Sequence, residues 1–164
     1  MSHIYGFDYT LEFIEMYKNL NQYIYLHFDA AHEATGQHAG TLDKDLPTFI
    51  QKILTPNTLL FLEADHGMRY GDWYTGEEAH YEMKLPAFFI IAPTKILNEI
   101  QDSYSNLFYN SHLLTGKYDI RKSILGMVHH MLKTRVDWSG GIDLFRNRID
   151  PGRTCKDLEI EAWW

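Results

Sequence analysis

Thr58-Leu59-Leu60-Phe61-Leu62-Glu63-Ala64-Asp65-His66-Gly67 is the stretch whose reading decides the fold. An almost continuous apolar run, 58–63, leads directly into two side chains able to bind a metal and then a glycine. A second apolar run follows at Ala87-Phe88-Phe89-Ile90-Ile91-Ala92. Runs of this kind suit strands covered on both faces, as in parallel or mixed α/β sheets. The segment between them, 65–86, is polar and Gly-bearing, and a loop of that length inside a compact domain is usually functional.

Away from this centre, strand-like and helix-like segments alternate. Residues 9–20 place Phe13, Tyr17 and Leu20 on one helical face, and Tyr23-Ile24-Tyr25-Leu26-His27-Phe28 reads as a strand. Across 42–54, Leu42, Leu46, Phe49, Ile50, Ile53 and Leu54 fall at helical spacing, with Pro47 expected in the first turn or at a kink. Thr94 is expected to cap a helix that turns Ile96, Leu97, Ile100, Tyr104 and Leu107 inward. Asp119 is a candidate cap for another, with Ile120, Ile124, Leu125, Val128 and Met131 inward. The pattern stops after about residue 138, where Gly140-Gly141, Pro151-Gly152 and Trp163-Trp164 follow. This order predicts an α/β fold, a mixed or parallel sheet covered by helices. It occupies residues 1–138, with 139–164 an irregular C-terminal tail.

The 164 residues are 45% hydrophobic and 23% charged, the composition of a folded domain rather than a disordered one. A net charge of −7 without any Lys/Arg run argues against nucleic-acid binding. The longest apolar run, Leu85 to Pro93, is far too short to span a bilayer. Asp8, Glu12 and Glu15 interrupt the first twenty residues, so no secretory signal is expected in this chain. Cys155 is the one cysteine, which at face value means a reducing compartment or no disulfide framework.

The chemistry centres on Asp65-His66-Gly67, just past the C-terminal end of a strand, where ligand sites of open α/β sheets gather. Asp and His suit a divalent metal, and Gly lets the backbone turn closely. The other reading is a turn in which Asp65 accepts backbone hydrogen bonds and His66 is merely polar. His27, His32 and His38 follow the first predicted strand, with Asp29 and Glu33 nearby. If the strands are neighbours, His32 or His38 could meet Asp65 and His66 in a zinc-type site; the alternative is a solvated loop with scattered histidines. His27 is expected to pack within its strand. Arg69 suits a tetrahedral oxyanion, or else a surface ion pair with Glu77, Glu78 or Glu82. His129 and His130 read as a helix C-terminal charge preference. A Gly-rich phosphate loop, a Gly-x-Ser-x-Gly elbow and the Cys-x-Pro-x-Arg formylglycine pattern are all missing from the sequence.

Several stretches together resemble the C-terminal part of an animal sulfatase-like family, a domain of unknown function within the alkaline-phosphatase superfamily. The family pattern, roughly Asp-His-Gly-x-Arg-x-Gly followed by Glu-x-[Arg/Lys]-Leu-Pro and an apolar strand, is met by Asp65 to Gly71, Glu82-Met83-Lys84-Leu85-Pro86 and Ala87-Phe88-Phe89. His32 and Asp43-Lys44-Asp45-Leu46 resemble its upstream part. Leu113-Leu114-Thr115, Tyr118-Asp119-Ile120, Asp143-Leu144-Phe145 and Arg153-Thr154-Cys155-Lys156-Asp157 resemble its downstream part. The resemblance implies the C-terminal half of an alkaline-phosphatase/sulfatase-like fold. It also implies a metal-dependent hydrolase of phosphate or sulfate esters, with zinc, manganese or calcium as the divalent ion. Asp65 and His66 would be metal ligands, His32 a further ligand, and Arg69 a substrate contact. The superfamily's first metal-binding Asp and its nucleophile lie in an N-terminal half that this sequence does not match, so this part is expected to be inactive alone. The alternative is a truncated, non-catalytic relative that binds an anion or a partner. The chain also departs from the pattern: Arg121 stands where the family has His, Tyr74 where a basic residue is expected, and Ala162-Trp163-Trp164 where it closes His-Trp-Cys. Family members are secreted or membrane-anchored, a context in which an unpaired Cys155 fits truncation.

Overall fold

The computed structural model describes residues 2–33, 35, 37–69, 71, 74–134 and 140–160. Tyr70, the expected boundary at 138 and the closing Ala162-Trp163-Trp164 lie outside them. By contacts the chain divides into two compact units, Met1–Pro93 and Thr94–Trp164. The architecture is mixed helix and strand. Among the described residues no helix is long and apolar enough to cross a membrane.

The first unit holds helices α1 (Ser2–Met16) and α2 (Ala39–Ile53), strand β1 (Leu60–Glu63), helix α3 (Glu77–Lys84) and strand β2 (Phe88–Ile91). Aromatic packing joins α1 to α2. Phe7 stacks on Phe49 with centroids 4.1 Å apart and meets Phe28 edge-on at 5.3 Å. Gly6 lies inside α1, where a Cβ would press on the Phe28 ring, so packing explains a residue that helix propensity disfavours. Buried His3 adds a polar tie, its Nε2 3.0 Å from Asp45 Oδ2.

Three expectations change here. First, α1 begins seven residues before the predicted 9–20, and α2 begins before 42. Pro47 therefore sits in the interior of α2, where it cannot donate to the carbonyl one turn back. Second, 23–28 forms neither helix nor strand, and Tyr23, Ile24, Tyr25, Leu26 and His27 are exposed. Alternating Tyr and Ile provide strand propensity, but a strand also needs a partner edge, which local sequence does not encode. Third, β1 and β2 form a two-stranded antiparallel sheet rather than a mixed or parallel one, with Leu60 opposite Ile91 and Glu63 opposite Phe88. Strand β2 is covered on one face only, with Phe89 and Ile91 exposed on the other.

The second unit contains α4 (Thr94–Asn98), α5 (Ser103–Asn110), α6 (Lys117–Leu132) and a 3-10 turn at Cys155–Leu158. The single helix expected after Thr94 is broken, with Asp102 at φ +60° before α5. Ile100 is buried at the break, and Tyr104 points to solvent. Ser103 holds the corner by donating from Oγ to the Leu97 carbonyl at 2.7 Å.

Residues 140–160 carry the most deeply buried apolar side chains of this unit, Phe145 and Ile149. Polar groups on the helices hold this segment in place. Asn110 Nδ2 donates to the Leu144 and Asn147 carbonyls, and its Oδ1 accepts from the Ile149 N–H at 2.8 Å. Ser123 Oγ accepts from the Leu144 N–H at 2.9 Å while donating to the Asp119 carbonyl.

At the centre is the Asp119 carboxylate, fully buried. It accepts the Gly116 N–H at the start of α6, the Ile142 N–H, and a two-pronged grip from Arg153 at 2.7 and 3.0 Å. Gly116, not Asp119, is the N-cap, and Asp119 reaches back to it from the first turn. Gly141, at φ +73°, lets the chain pass against the Tyr118 carbonyl, where any Cβ would overlap.

Arg153 is only 11% exposed, so Arg153→Met strands a buried carboxylate. Its loss is expected to lower stability by about 3–5 kcal/mol, read as a reduced urea midpoint, with Arg153→Lys in between. A loss below about 1 kcal/mol would show the pair to be peripheral.

Candidate functional site

The Asp65 loop begins where the β-ladder ends. The Ala64 N–H donates to the Ala87 carbonyl at 3.0 Å, one step beyond β1, and the chain then turns away. The Gly67 N–H donates to the Met83 carbonyl at 3.0 Å, which pins the loop to the last turn of α3. A Cβ on Gly67 would overlap the Glu82 carbonyl oxygen, so this approach requires glycine. Tyr74 braces the same helix by donating its hydroxyl to Met83 S at 3.0 Å and meeting His80 edge-on. The acidic Glu-x-Lys-Leu-Pro stretch is thus the wall against which the Asp-His-Gly turn is set.

That turn orients His66. Its Nδ1 lies 2.7 Å from the Gly67 carbonyl oxygen. A carbonyl only accepts, so Nδ1 carries the proton and, in the neutral ring, Nε2 presents its lone pair. A backbone carbonyl commonly fixes metal-binding imidazoles in this way. Nε2 lies 3.5 Å from Asp65 Oδ2, while Oδ1 accepts the His66 N–H at 3.0 Å. His66 is 32% and Asp65 71% exposed at the side chain, so both are reachable from solvent. Two ligands bound to zinc at about 2.0–2.2 Å with a tetrahedral angle stand about 3.4 Å apart. The 3.5 Å separation of His66 Nε2 and Asp65 Oδ2 is close to that spacing.

The other candidates lie elsewhere. His32 is exposed in a turn, its N–H donating to the Asp29 carbonyl at 2.9 Å. Among the described residues no group of three or more His, Cys, Asp or Glu is gathered to hold a metal, so His32 does not join Asp65 and His66. Glu33 beside it closes its own loop, accepting from Thr35 N–H and Oγ–H at 2.7 Å and from the His38 N–H at 3.0 Å. Those donors, the Thr35 hydroxyl foremost, hold the Glu33 carboxyl at about 2, well below its ordinary 4.5. His27 does not pack in a sheet; it meets Asp29 at 2.9 Å in the open. Arg69 is exposed, with no carboxylate pairing with it among the described residues. At the end of α6, His130 meets Glu99 at 3.1 Å and His129 meets Thr134 at 2.8 Å.

The family described as "Protein of unknown function (DUF229)" matches residues 1–164. The chain belongs to the DUF229 family. No curated protein and no solved structure matches it. Within this DUF229 chain, the Asp-His pair and its α3 wall come from one continuous stretch, 65–86, so a single loop builds that part of the site.

Gly67→Ala must push the loop off α3. An overpacking cost of about 1–3 kcal/mol is expected, with faster proteolysis inside 65–86. Unchanged cleavage there would mean the approach is not enforced. Glu33 titrates below its unfolded value, so its contribution is complete above pH 4.5 and disappears as pH falls toward 2. The His38 amide proton shift should follow that transition with a midpoint near 2 and lose it in Glu33→Gln. A midpoint at the ordinary 4.5 would contradict the loop closure.

Proposed function

We propose that this chain is the C-terminal part of a sulfatase- or phosphatase-like, metal-dependent ester hydrolase. In this reading Asp65 and His66 hold a divalent ion, zinc, manganese or calcium. The observation that carries it is the placement of the His66 ring, with Nδ1 2.7 Å from the Gly67 carbonyl and Nε2 3.5 Å from Asp65 Oδ2. The Gly67 carbonyl fixes the proton on Nδ1 and leaves Nε2 beside Asp65 Oδ2 at the end of a strand. The motif-by-motif resemblance to sulfatase-like proteins supports the same reading.

The bound ion would polarise an ester oxygen of a phosphate or sulfate ester. Asp65 and His66 position it, and Gly67 fixes their distance from α3. Arg69 would present its planar fork to the tetrahedral oxyanion. The nucleophile and remaining ligands would be supplied by the N-terminal half that the resemblance implies, so turnover belongs to a protein containing both parts. Such a protein would be secreted or membrane-anchored, with exposed Cys155 available for pairing in it.

One observation favours a second reading, an anion- or partner-binding relative without turnover: among the described residues no third metal ligand joins the pair. Zinc and manganese titrations of the chain separate the two. If the hydrolase reading holds, His66→Ala and Asp65→Asn each weaken binding at least tenfold, about 1.4 kcal/mol, while helix content by circular dichroism is unchanged. Identical metal binding in both variants would remove the hydrolase assignment and leave the binding relative.

A further inference from the structure

The second unit carries an open surface groove of about 460 Å³ along one side of α5, lined among others by Tyr104, Phe108, Tyr109, His112 and Arg148. Its size lies within the range of small-molecule sites. Tyr104, Phe108 and His112 recur every four residues, so they form one stripe along the helix and its C-terminal extension. Tyr104 is 70% and Phe108 64% exposed, an aromatic surface presented to solvent. Phe108 and His112 meet edge-on with centroids 5.3 Å apart.

Arg148 is held at the edge of this surface by two contacts. Its guanidinium carbon lies 4.8 Å from the centre of the Tyr109 ring, and its Nε donates to Asn106 Oδ1 at 3.2 Å. Asn106 is itself buried and fixed, donating from Nδ2 to the Phe145 carbonyl at 3.1 Å. With Nε and the ring face committed, Nη1 and Nη2 have no carboxylate partner among the described residues. A guanidinium oriented beforehand in this way suits bidentate recognition of an acidic group. The lining contains no Asp or Glu, although the chain as a whole carries a net charge of −7. A local cation within an acidic chain selects an anionic occupant, and the aromatic stripe selects a flat ring.

We propose that this groove binds a small molecule made of a planar ring bearing one acidic group, with the ring against Tyr104 and Phe108 and the acid on Arg148. The proposal does not rest on the Asp65–His66 reading. The acid could be a phosphate, a sulfate or a carboxylate, since each offers two oxygens to the fork.

Phenyl phosphate and benzoate serve as probes against the full chain by calorimetry, with benzyl alcohol and inorganic phosphate as controls. Both ring acids are expected to bind saturably, with each control at least tenfold weaker. Arg148→Gln should weaken the acids at least tenfold. Tyr104→Ala, an exposed change that leaves the fold alone, should weaken them about three- to tenfold without shifting the thermal midpoint. Binding of inorganic phosphate as tight as phenyl phosphate would reduce the site to a surface cation and overturn the proposal. So would benzyl alcohol binding equally well, or ring acids indifferent to both substitutions. Concentration-dependent dimerisation abolished by Tyr104→Ala would instead assign the surface to a second copy of the chain.

Discussion

Asp119 has no exposed surface, and a carboxylate in that position must have every lone-pair direction answered or become a liability of several kcal/mol. The second unit is arranged around that requirement. Gly116 and Ile142 donate backbone N–H groups, and Arg153 closes the remaining sides with its fork. These donors come from the start of α6 and from two separated points in the segment after it. Satisfying one charge therefore fixes where 140–160 runs, and with it the placement of Phe145 and Ile149 in the core. Asn106, Asn110 and Ser123 extend the same principle, matching backbone groups of a segment that has few regular hydrogen bonds of its own.

The first unit meets a different constraint, the absence of a side chain. Gly67 lets the turn after β1 close on the Glu82 and Met83 carbonyls; within that turn the His66 ring meets the Gly67 carbonyl while Asp65 stays open to solvent. The orientation of the imidazole, and so any capacity of the pair to bind a cation, depends on a backbone approach of one residue.

Much of this was legible in residue order, and the failures have physical causes. The helical face of Leu46, Phe49, Ile50 and Ile53 showed α2, because amphipathic spacing survives whatever the partner is. The strand at Leu60–Glu63 and the Asp-His-Gly turn after it were equally visible. Strand direction was not: an apolar run states that a segment is strand-like, not which neighbour it pairs with. Tyr23 to Phe28 failed for the same reason, since its propensity found no edge. Residues 140–160, read as part of an irregular tail, are placed by side chains 20 to 40 positions away, Asp119, Asn106 and Asn110 among them, and no local period records such ties. Glu33 closes the loop that carries His32 and His38, a local tie that a list of histidines does not record. Arg148 carried no motif; only the exposed repeat of Tyr104, Phe108 and His112 hinted at a surface.

The functional account turns on one nitrogen. If Asp65 and His66 hold a divalent ion, the ion must meet Nε2, because the Gly67 carbonyl retains the proton on Nδ1. The most direct measurement is a zinc titration of the intact chain followed by the imidazole ¹⁵N shifts of His66. The account predicts that Nε2 moves on binding while Nδ1 keeps the signature of a protonated, hydrogen-bonded nitrogen. Zinc that saturates the chain while both His66 nitrogens stay unmoved, or that displaces the Nδ1 proton, would contradict it.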